Sequence, residues 1–136
     1  MIPLALIAED SADHAYIFRK ALFMSGYQVE VVNNGLAASA RLQEIVPRIV
    51  VLDLHLPGLS GEKLLHQIRG DERLKNTRVF LITGDAGLAE KLRDEATITL
   101  LKPISFAQLS MLATKFLPQT GAFDNSPTPS NSEQEP

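Results

Sequence analysis

The sequence contains no cysteine and no tryptophan, and it has no long apolar run. Without cysteine there is no disulfide framework and no thiolate metal site. No stretch approaches the ~18 apolar residues of a membrane span, and the apolar residues 1–8 lead directly into Glu9 and Asp10 without the basic start of a signal peptide. The sequence therefore predicts a soluble, cytoplasmic protein with no membrane partner.

An excess of charge of one sign is also missing from most of the chain. The 13 Lys and Arg residues compare with 16 Asp and Glu residues, and three of the acids follow Pro118, namely Asp124, Glu133 and Glu135. Residues 1–118 therefore carry 13 charges of each sign. Because a nucleic-acid-binding domain needs a net basic face, no nucleic acid is expected as a partner. The basic cluster at residues 69–78 is diluted by acids and is interpreted as a solvated face.

The length of 136 residues suits a single domain. After residue 118 the composition changes, since residues 119–136 contain three prolines, one aromatic residue and no apolar periodicity. We predict one folded domain over residues 1–118 and a disordered tail over residues 119–136.

Five short apolar runs, each followed by apolar residues at helical spacing, make up the predicted domain. Such runs predict buried strands, and the stretches between them predict helices. Because the connections are short, strands and helices in alternation require crossovers, and the fold class is α/β with a doubly wound, parallel, five-stranded sheet. The predicted strands are residues 4–8, 29–32, 49–53, 79–82 and 98–101, and the fourth helix is predicted over residues 87–96.

Four of the five predicted strands end in a residue suited to chemistry. Glu9 and Asp10 follow the first strand, and the others are Asp53, Thr83 and Lys102. Parallel strands share one carboxyl edge, where α/β sheets place their sites, so these groups are expected to meet. Three carboxylates in one place repel each other unless a cation lies between them. Mg²⁺ suits such oxygen ligands and completes its coordination with phosphate oxygens.

This combination of groups favours transfer of a phosphoryl group to Asp53. A carboxylate can attack phosphorus while the metal ion and Lys102 offset the charge on the phosphoryl oxygens. Thr83 can hydrogen-bond the transferred group. The predicted product is an aspartyl phosphate.

The order of these residues along the chain resembles the receiver domain of two-component response regulators, of the single-domain, CheY-like type, over residues 1–118. The motifs that carry the resemblance are Glu9-Asp10, Asp53 followed by Pro57-Gly58 and Gly61, Thr83-Gly84 and Lys102-Pro103. The resemblance implies a flavodoxin-like (βα)5 fold with strand order 2-1-3-4-5.

The same resemblance implies a role for each site residue. Asp53 would be the phosphoacceptor, and Thr83 and Lys102 would contact the phosphoryl group, with the Lys102-Pro103 bond cis. Mg²⁺ would be held by three groups, and Glu9 would act through a water on the metal ion. The three groups are Asp10, Asp53 and the backbone carbonyl of His55.

The family's activity implies a signalling module and not a turnover enzyme. A sensor histidine kinase or a histidine phosphotransfer protein would donate the phosphoryl group, and self-catalysed hydrolysis would remove it. Phosphorylation would shift the population between two conformations, and the surface of residues 87–117 would contact a downstream protein. The expected oligomeric state is a monomer or a weak homodimer.

One position departs from the family pattern. Receivers usually carry an aromatic residue three positions before the lysine, and this chain has Thr99 there. The aromatic part of the switch is therefore absent or altered, which supports the alternative of a phosphorylation-independent interaction module with the receiver fold. A second alternative is a phosphatase of the haloacid dehalogenase kind. That class needs an aspartate on the first strand and another two residues later, whereas Asp53 ends the third strand and is followed two residues later by His55.

Overall fold

The computed structural model of the chain describes residues 2–118. Five parallel strands form one sheet in the order β2-β1-β3-β4-β5, which confirms the predicted flavodoxin-like architecture. The predicted disordered tail, residues 119–136, lies outside the described residues. The strands are β1 (Leu4–Ala8), β2 (Gln28–Val32), β3 (Ile49–Asp53), β4 (Arg78–Thr83) and β5 (Ile98–Leu101).

Within residues 2–118, five α-helices follow the strands, together with a 3-10 turn at Glu72–Leu74. Each α-helix begins after a residue whose side chain accepts a hydrogen bond from the backbone N–H three residues on, which satisfies a donor that has no partner inside the helix. No helix within residues 2–118 is long and apolar enough to cross a membrane. The helices are α1 (Ala12–Met24), α2 (Gly35–Leu42), α3 (Gly61–Arg69), α4 (Ala86–Leu92) and α5 (Phe106–Lys115).

The side chains of the central strand β3 alternate between two apolar cores. Ile49 and Val51 pack on one face of the sheet with α1 and α5, and Val50 and Leu52 pack on the other face with α2, α3 and α4. All five residues of β3 are buried, which explains why the four residues before Asp53 form an uninterrupted apolar run. Burial on both faces fixes the register of the strand and therefore the level at which Asp53 leaves the sheet.

Two arginines of the basic cluster tie separate parts of the chain together. Arg69 Nε donates to the carbonyl oxygen of Glu95 at 2.7 Å, and Arg73 Nη2 donates to that of Ile45 at 3.0 Å. The first bond lies just beyond α4, which ends at Leu92 and not at the predicted residue 96. The chain turns there, and the backbone N–H of Glu95 donates to the carbonyl oxygen of Leu92 at 3.0 Å. The cluster is therefore more than the solvated face that the sequence indicates.

The loop that follows β3 is held by two backbone hydrogen bonds that both involve glycine. Gly61 N–H donates to the carbonyl oxygen of Leu54 at 3.1 Å, and Gly35 N–H donates to that of Pro57 at 2.8 Å. A Cβ at Gly61 would lie 2.6 Å from Leu54 Cα and would also collide with the carbonyl oxygen of Asp53, while a Cβ at Gly35 would collide with the backbone of the same loop. Helices α2 and α3 therefore both start against this loop.

Gly61→Ala is expected to lower the free energy of unfolding by about 2 kcal/mol or more, because the atoms that its Cβ would meet are backbone atoms that cannot move aside easily. Gly84→Ala is the matched control, since a Cβ there meets no atom within 4 Å, and it is expected to stay within about 0.5 kcal/mol of the wild type. Urea unfolding followed by circular dichroism measures both. Equal destabilisation of the two variants would contradict the close approach of Gly61 to β3.

Candidate functional site

The carboxyl edge of the sheet gathers three carboxylates. Asp53 is the last residue of β3, and Glu9 and Asp10 directly follow β1, which pairs with β3. One oxygen from each of the three carboxylates lies within 4.8 Å of the other two. Glu9 and Asp53 are only 1% and 4% exposed, whereas Asp10 is exposed. The structure thus brings together the three acids that the sequence places at strand ends.

Lys102 directly follows the edge strand β5, and its side chain extends past the end of β4 to these acids. Its Nζ lies 3.2 Å from Asp53 Oδ2 and 3.6 Å from Glu9 Oε1. The backbone N–H of Lys102 donates to the carbonyl oxygen of Thr83 at 2.8 Å, so the end of β4 fixes the point at which the lysine leaves β5. The Lys102-Pro103 peptide bond is cis, as the resemblance implies.

The three buried polar side chains of the site share one local geometry. Glu9 Oε2, Asp53 Oδ1 and Thr83 Oγ1 each accept a hydrogen bond of 3.0 Å from the backbone N–H two residues further along the chain. Short polar side chains commonly close such turns. Each side chain is therefore oriented by its own connection between strand and helix. The donors belong to Ser11, His55 and Asp85.

Burial disfavours the ionised form of Glu9. Burial raises the pKa of Glu9 above its ordinary value of 4.5, and the charge of Asp53 also raises it, while the Ser11 N–H and Lys102 act in the opposite direction. Glu9 Oε1 is buried and has no hydrogen-bond partner within residues 2–118, since 3.6 Å to Lys102 Nζ is too long for a hydrogen bond. A buried oxygen without a donor, beside two further carboxylates, fits a divalent cation with oxygen ligands.

Two other residues that the sequence singles out lie at the margin of this cluster. The side chain of His55 is exposed, and its backbone N–H is the part that bonds to Asp53. Thr99 is half-buried in β5, where it lies opposite Leu81 in β4 and below the strand end that carries Lys102.

Sequence reasoning missed Ser11 and Asp85 as anchors of the site. Each of them caps a helix with its side chain and holds a site side chain with its backbone N–H. A signal for this role is present in the sequence, because each is a good capping residue that stands two positions after a polar residue at a strand end.

A parallel five-stranded α/β sheet whose carboxyl edge carries clustered acids, a buried threonine and a lysine defines the receiver class of signalling domain. The family model of the response regulator receiver domain matches residues 5–114 of the chain. The protein therefore belongs to the response regulator receiver family, whose members are signalling modules of two-component systems.

Two curated relatives and one solved structure illustrate the likeness. The polar-differentiation response regulator DivK of Brucella anthropi is 32% identical over 105 residues, which cover 74% of this chain and 84% of DivK. The phosphate regulon transcriptional regulatory protein PhoB of Rhizobium meliloti is 30% identical over 112 residues, which cover 80% of this chain. The chain spans only about half of PhoB, 49% of its length.

The solved structure is the receiver domain of the sensor histidine kinase PA1611 from Pseudomonas aeruginosa PAO1, with a magnesium ion coordinated in its active site cleft. It is 22% identical, has a TM-score of 0.76, and the likeness covers 85% of this chain and 98% of that one. At this identity the likeness is one of fold.

Glu9→Gln is expected to raise the free energy of unfolding by about 1 kcal/mol at neutral pH in the presence of a metal chelator, because glutamine removes a buried charge. Since the pKa of Glu9 is raised on folding, the folded state binds its proton more readily than the unfolded chain. The stability that this group contributes is present below pH 4.5 and is lost as the pH rises through the raised value. Glu9→Gln should remove that loss.

The matched control for this prediction is Glu30→Gln. Glu30 pairs with Arg41 at 2.7 Å, which lowers the pKa of Glu30, so the variant is expected to lose a little stability at neutral pH. Urea unfolding over the acidic to neutral range compares the two. A loss of stability in Glu9→Gln at neutral pH would contradict the unfavourable burial of its charge.

Proposed function

We propose that the protein is a phosphoacceptor receiver that carries the phosphoryl group on Asp53 and releases it by self-catalysed hydrolysis. The observation that carries this proposal is the position of the Asp53 carboxylate, which is buried at the end of the central strand with Oδ2 3.2 Å from Lys102 Nζ. Neither of the other acids combines these features. Asp10 is exposed, and Glu9 lies further from the ammonium and has a raised pKa.

The proposed donor is a phosphohistidine of a sensor histidine kinase or a histidine phosphotransfer protein. A carboxylate oxygen of Asp53 forms a bond to phosphorus while the bond from phosphorus to the imidazole nitrogen breaks, and the nitrogen keeps the electron pair. In hydrolysis, water attacks the same phosphorus and the Asp53 carboxylate leaves, which gives inorganic phosphate. Each phosphoryl group is used once as a signal, so the protein is not a turnover enzyme.

Lys102 and Thr83 are the proposed contacts of the transferred group. The ammonium of Lys102 already lies beside Asp53, and the fully buried Thr83 lies at the end of the neighbouring strand. Donors that are held in place before the reaction stabilise developing charge without reorganising.

Mg²⁺ is the proposed cofactor, held by Asp10, Asp53 and the backbone carbonyl of His55, with Glu9 acting through water. The clustering of the three carboxylates and the unpartnered Glu9 Oε1 support a cation at this place, as does the magnesium ion in the PA1611 receiver. When bound, a divalent ion offsets negative charge on phosphoryl oxygens.

The proposed output is contact with a downstream protein through residues 87–117. The even balance of charge in residues 1–118 supports a protein and not a nucleic acid as partner, and we propose a cytoplasmic monomer or weak homodimer. The alternative is a phosphorylation-independent interaction module of the same fold. Thr99 favours that alternative, since it replaces the aromatic residue of the usual switch.

Incubation with acetyl phosphate and Mg²⁺ is expected to add one phosphoryl group to the wild-type chain, detected by intact mass. Asp53→Asn is expected to carry none, because an amide is not a nucleophile. Asp94→Asn, which changes an exposed acid outside the site, is the matched control and should react like the wild type. An unmodified wild type, or an adduct that persists in Asp53→Asn, would overturn the proposal, and sustained turnover of phosphoesters would indicate a phosphatase.

Mg²⁺ is expected to stabilise the folded protein, by ~2.7 kcal/mol at about a hundred times its dissociation constant. Asp10→Asn should lose this stabilisation, whereas Asp13→Asn, an exposed acid in the first turn of α1, should keep it. Thermal unfolding with MgCl2, compared with NaCl of equal ionic strength, measures the effect. Full stabilisation of Asp10→Asn would place the ion elsewhere.

A further inference from the structure

A groove crosses the amino ends of β1, β3 and β4, at the edge of the sheet opposite to Asp53. Its volume is about 300 Å³, which suits one or two side chains better than a large cofactor. We propose that this groove binds the chain's own C-terminal segment, residues 119–136. Phe123 enters the groove, and Asp124 pairs with Arg48. The apolar lining of the groove consists of Ile2, Pro3, Leu4, Val46 and Pro47.

Two apolar side chains of the groove are largely open to water. Ile2 is 65% exposed and Val46 is 59% exposed. Single exposed apolar residues are common on protein surfaces, but these two line the same groove. An apolar side chain that entered the groove would remove their surface from water, which is favourable.

The groove is already formed before anything binds to it. The backbone N–H of Arg48 donates to the carbonyl oxygen of Leu4 at 2.7 Å, and that of Arg78 donates to the carbonyl oxygen of Arg48 at 2.9 Å. Thr77 Oγ1 donates to the carbonyl oxygen of Pro47 at 2.8 Å. These carbonyl groups have partners, so the groove favours a side chain over an added strand. Since the groove needs no ordering, binding costs less free energy.

The C-terminal segment begins beside the groove. Arg48, which lines the groove, donates from Nε to the carbonyl oxygen of Phe116 at 2.7 Å. The guanidinium of Arg78 lies 5.4 Å from the centre of the Phe116 ring. Phe123 follows seven positions later, and a chain of that length can span about 23 Å. The connection is therefore long enough to bring Phe123 back to the groove.

The composition of the segment matches the chemistry of the groove. Phe123 is the only large apolar residue among residues 119–136, which contain three acids and no Lys or Arg. Arg48 and Arg78 form no ion pair with an acid within residues 2–118. Asp124 therefore supplies a charge that suits the arginines at the margin of the groove. Because exposed ion pairs stabilise little, Phe123 is the anchor and Asp124 sets the orientation.

The segment of a second copy of the chain has the same chemistry, but the chain's own segment is the favoured occupant. A short connection keeps Phe123 at an effective concentration in the millimolar range near the groove. A second copy at micromolar concentration cannot compete with this. Only Phe123 and Asp124 take part, so the sequence-based expectation for residues 125–136 is unchanged.

Cross-linking of the full chain tests the occupant, because the chain has no cysteine that could interfere. Val46→Cys combined with Ala122→Cys is expected to form an intrachain disulfide with oxidised glutathione, at a rate that does not change on dilution. Adding Phe123→Ala should slow this reaction by about fivefold or more, since the connection is unchanged and only the apolar anchor is lost. Equal rates with and without Phe123 would overturn the proposal.

A matched pair of thiols shows whether the effect belongs to the groove. Leu36 is 63% exposed and lies at the start of α2, near the carboxyl edge of the sheet. In Leu36→Cys combined with Ala122→Cys, Phe123→Ala is expected to leave the rate unchanged. Slowing of both pairs alike would overturn binding in the groove. Disulfides that form mainly between chains would overturn the chain's own segment as the occupant and assign the groove to a second copy.

Methyl NMR of the chain without added thiols tests the contact directly. Nuclear Overhauser contacts are expected between the Phe123 ring and the methyl groups of Ile2 or Val46. Phe123→Ala should shift the methyl signals of Val46, because the ring current is lost. Tyr16→Ala, which removes an exposed ring from α1, should leave them in place. Val46 signals that are the same in the wild type and in Phe123→Ala would overturn the proposal.

The role of Asp124 is tested by reversing its charge. Asp124→Lys is expected to move the Val46 methyl signals part of the way toward those of Phe123→Ala, because a lysine is repelled by Arg48. Glu135→Lys makes the same change of charge eleven positions later and should leave the signals unchanged. Equal shifts in the two variants would overturn the pairing of Asp124 with Arg48. None of these measurements involves Asp53 or a phosphoryl donor, so their outcome is independent of the proposed function.

Discussion

The ammonium of Lys102 lies between two buried carboxylates, 3.2 Å from Asp53 and 3.6 Å from Glu9. The order of the strands in the sheet brings these three groups together. The acids leave β3 and β1, whereas the lysine leaves β5 and reaches across the end of β4. Buried charges are costly unless they are paired. This one contact therefore constrains how the carboxyl ends of β1, β3, β4 and β5 are aligned with one another. One ammonium cannot neutralise two acids, and the remaining charge is what makes a further cation favourable at the site.

The parts of the structure that follow from burial were predictable. The run from Ile49 to Leu52 is apolar without interruption because both faces of β3 are covered, and this pattern identified the central strand and its terminal Asp53. The same reasoning located the other strands, and the shared carboxyl edge of parallel strands brought Glu9, Thr83 and Lys102 together. The spacing of apolar residues along the chain carries this information, because it reflects which face of a strand or helix is buried.

The features that sequence reasoning missed depend on contacts between distant residues or on backbone geometry. Arg69 donates to a carbonyl 26 residues away, and a polar side chain in a basic cluster gives no sign of such a partner. The apolar pattern continues to Ala96, whereas α4 ends at Leu92, and the turn after it carries the carbonyl group that Arg69 contacts. Likewise, the turns that orient Thr83 and Glu9 use the backbone N–H groups of Asp85 and Ser11, whose side chains indicate only a helix cap. Local patterns therefore give the elements, while the orientation of the site side chains comes from the connections between them.

The loop after Asp53 tolerates changes of exposed side chains but not changes of its length. The hydrogen bond from Gly61 to Leu54 closes the loop on itself, and the bond from Gly35 to Pro57 attaches it to the start of α2, so an inserted or deleted residue would pull α2 or α3 away from the strand end. The exposed side chain of His55 takes no part in those bonds. Natural or engineered variants can therefore change the chemical character of this surface by substitution, one residue at a time, while the length of the loop stays constant.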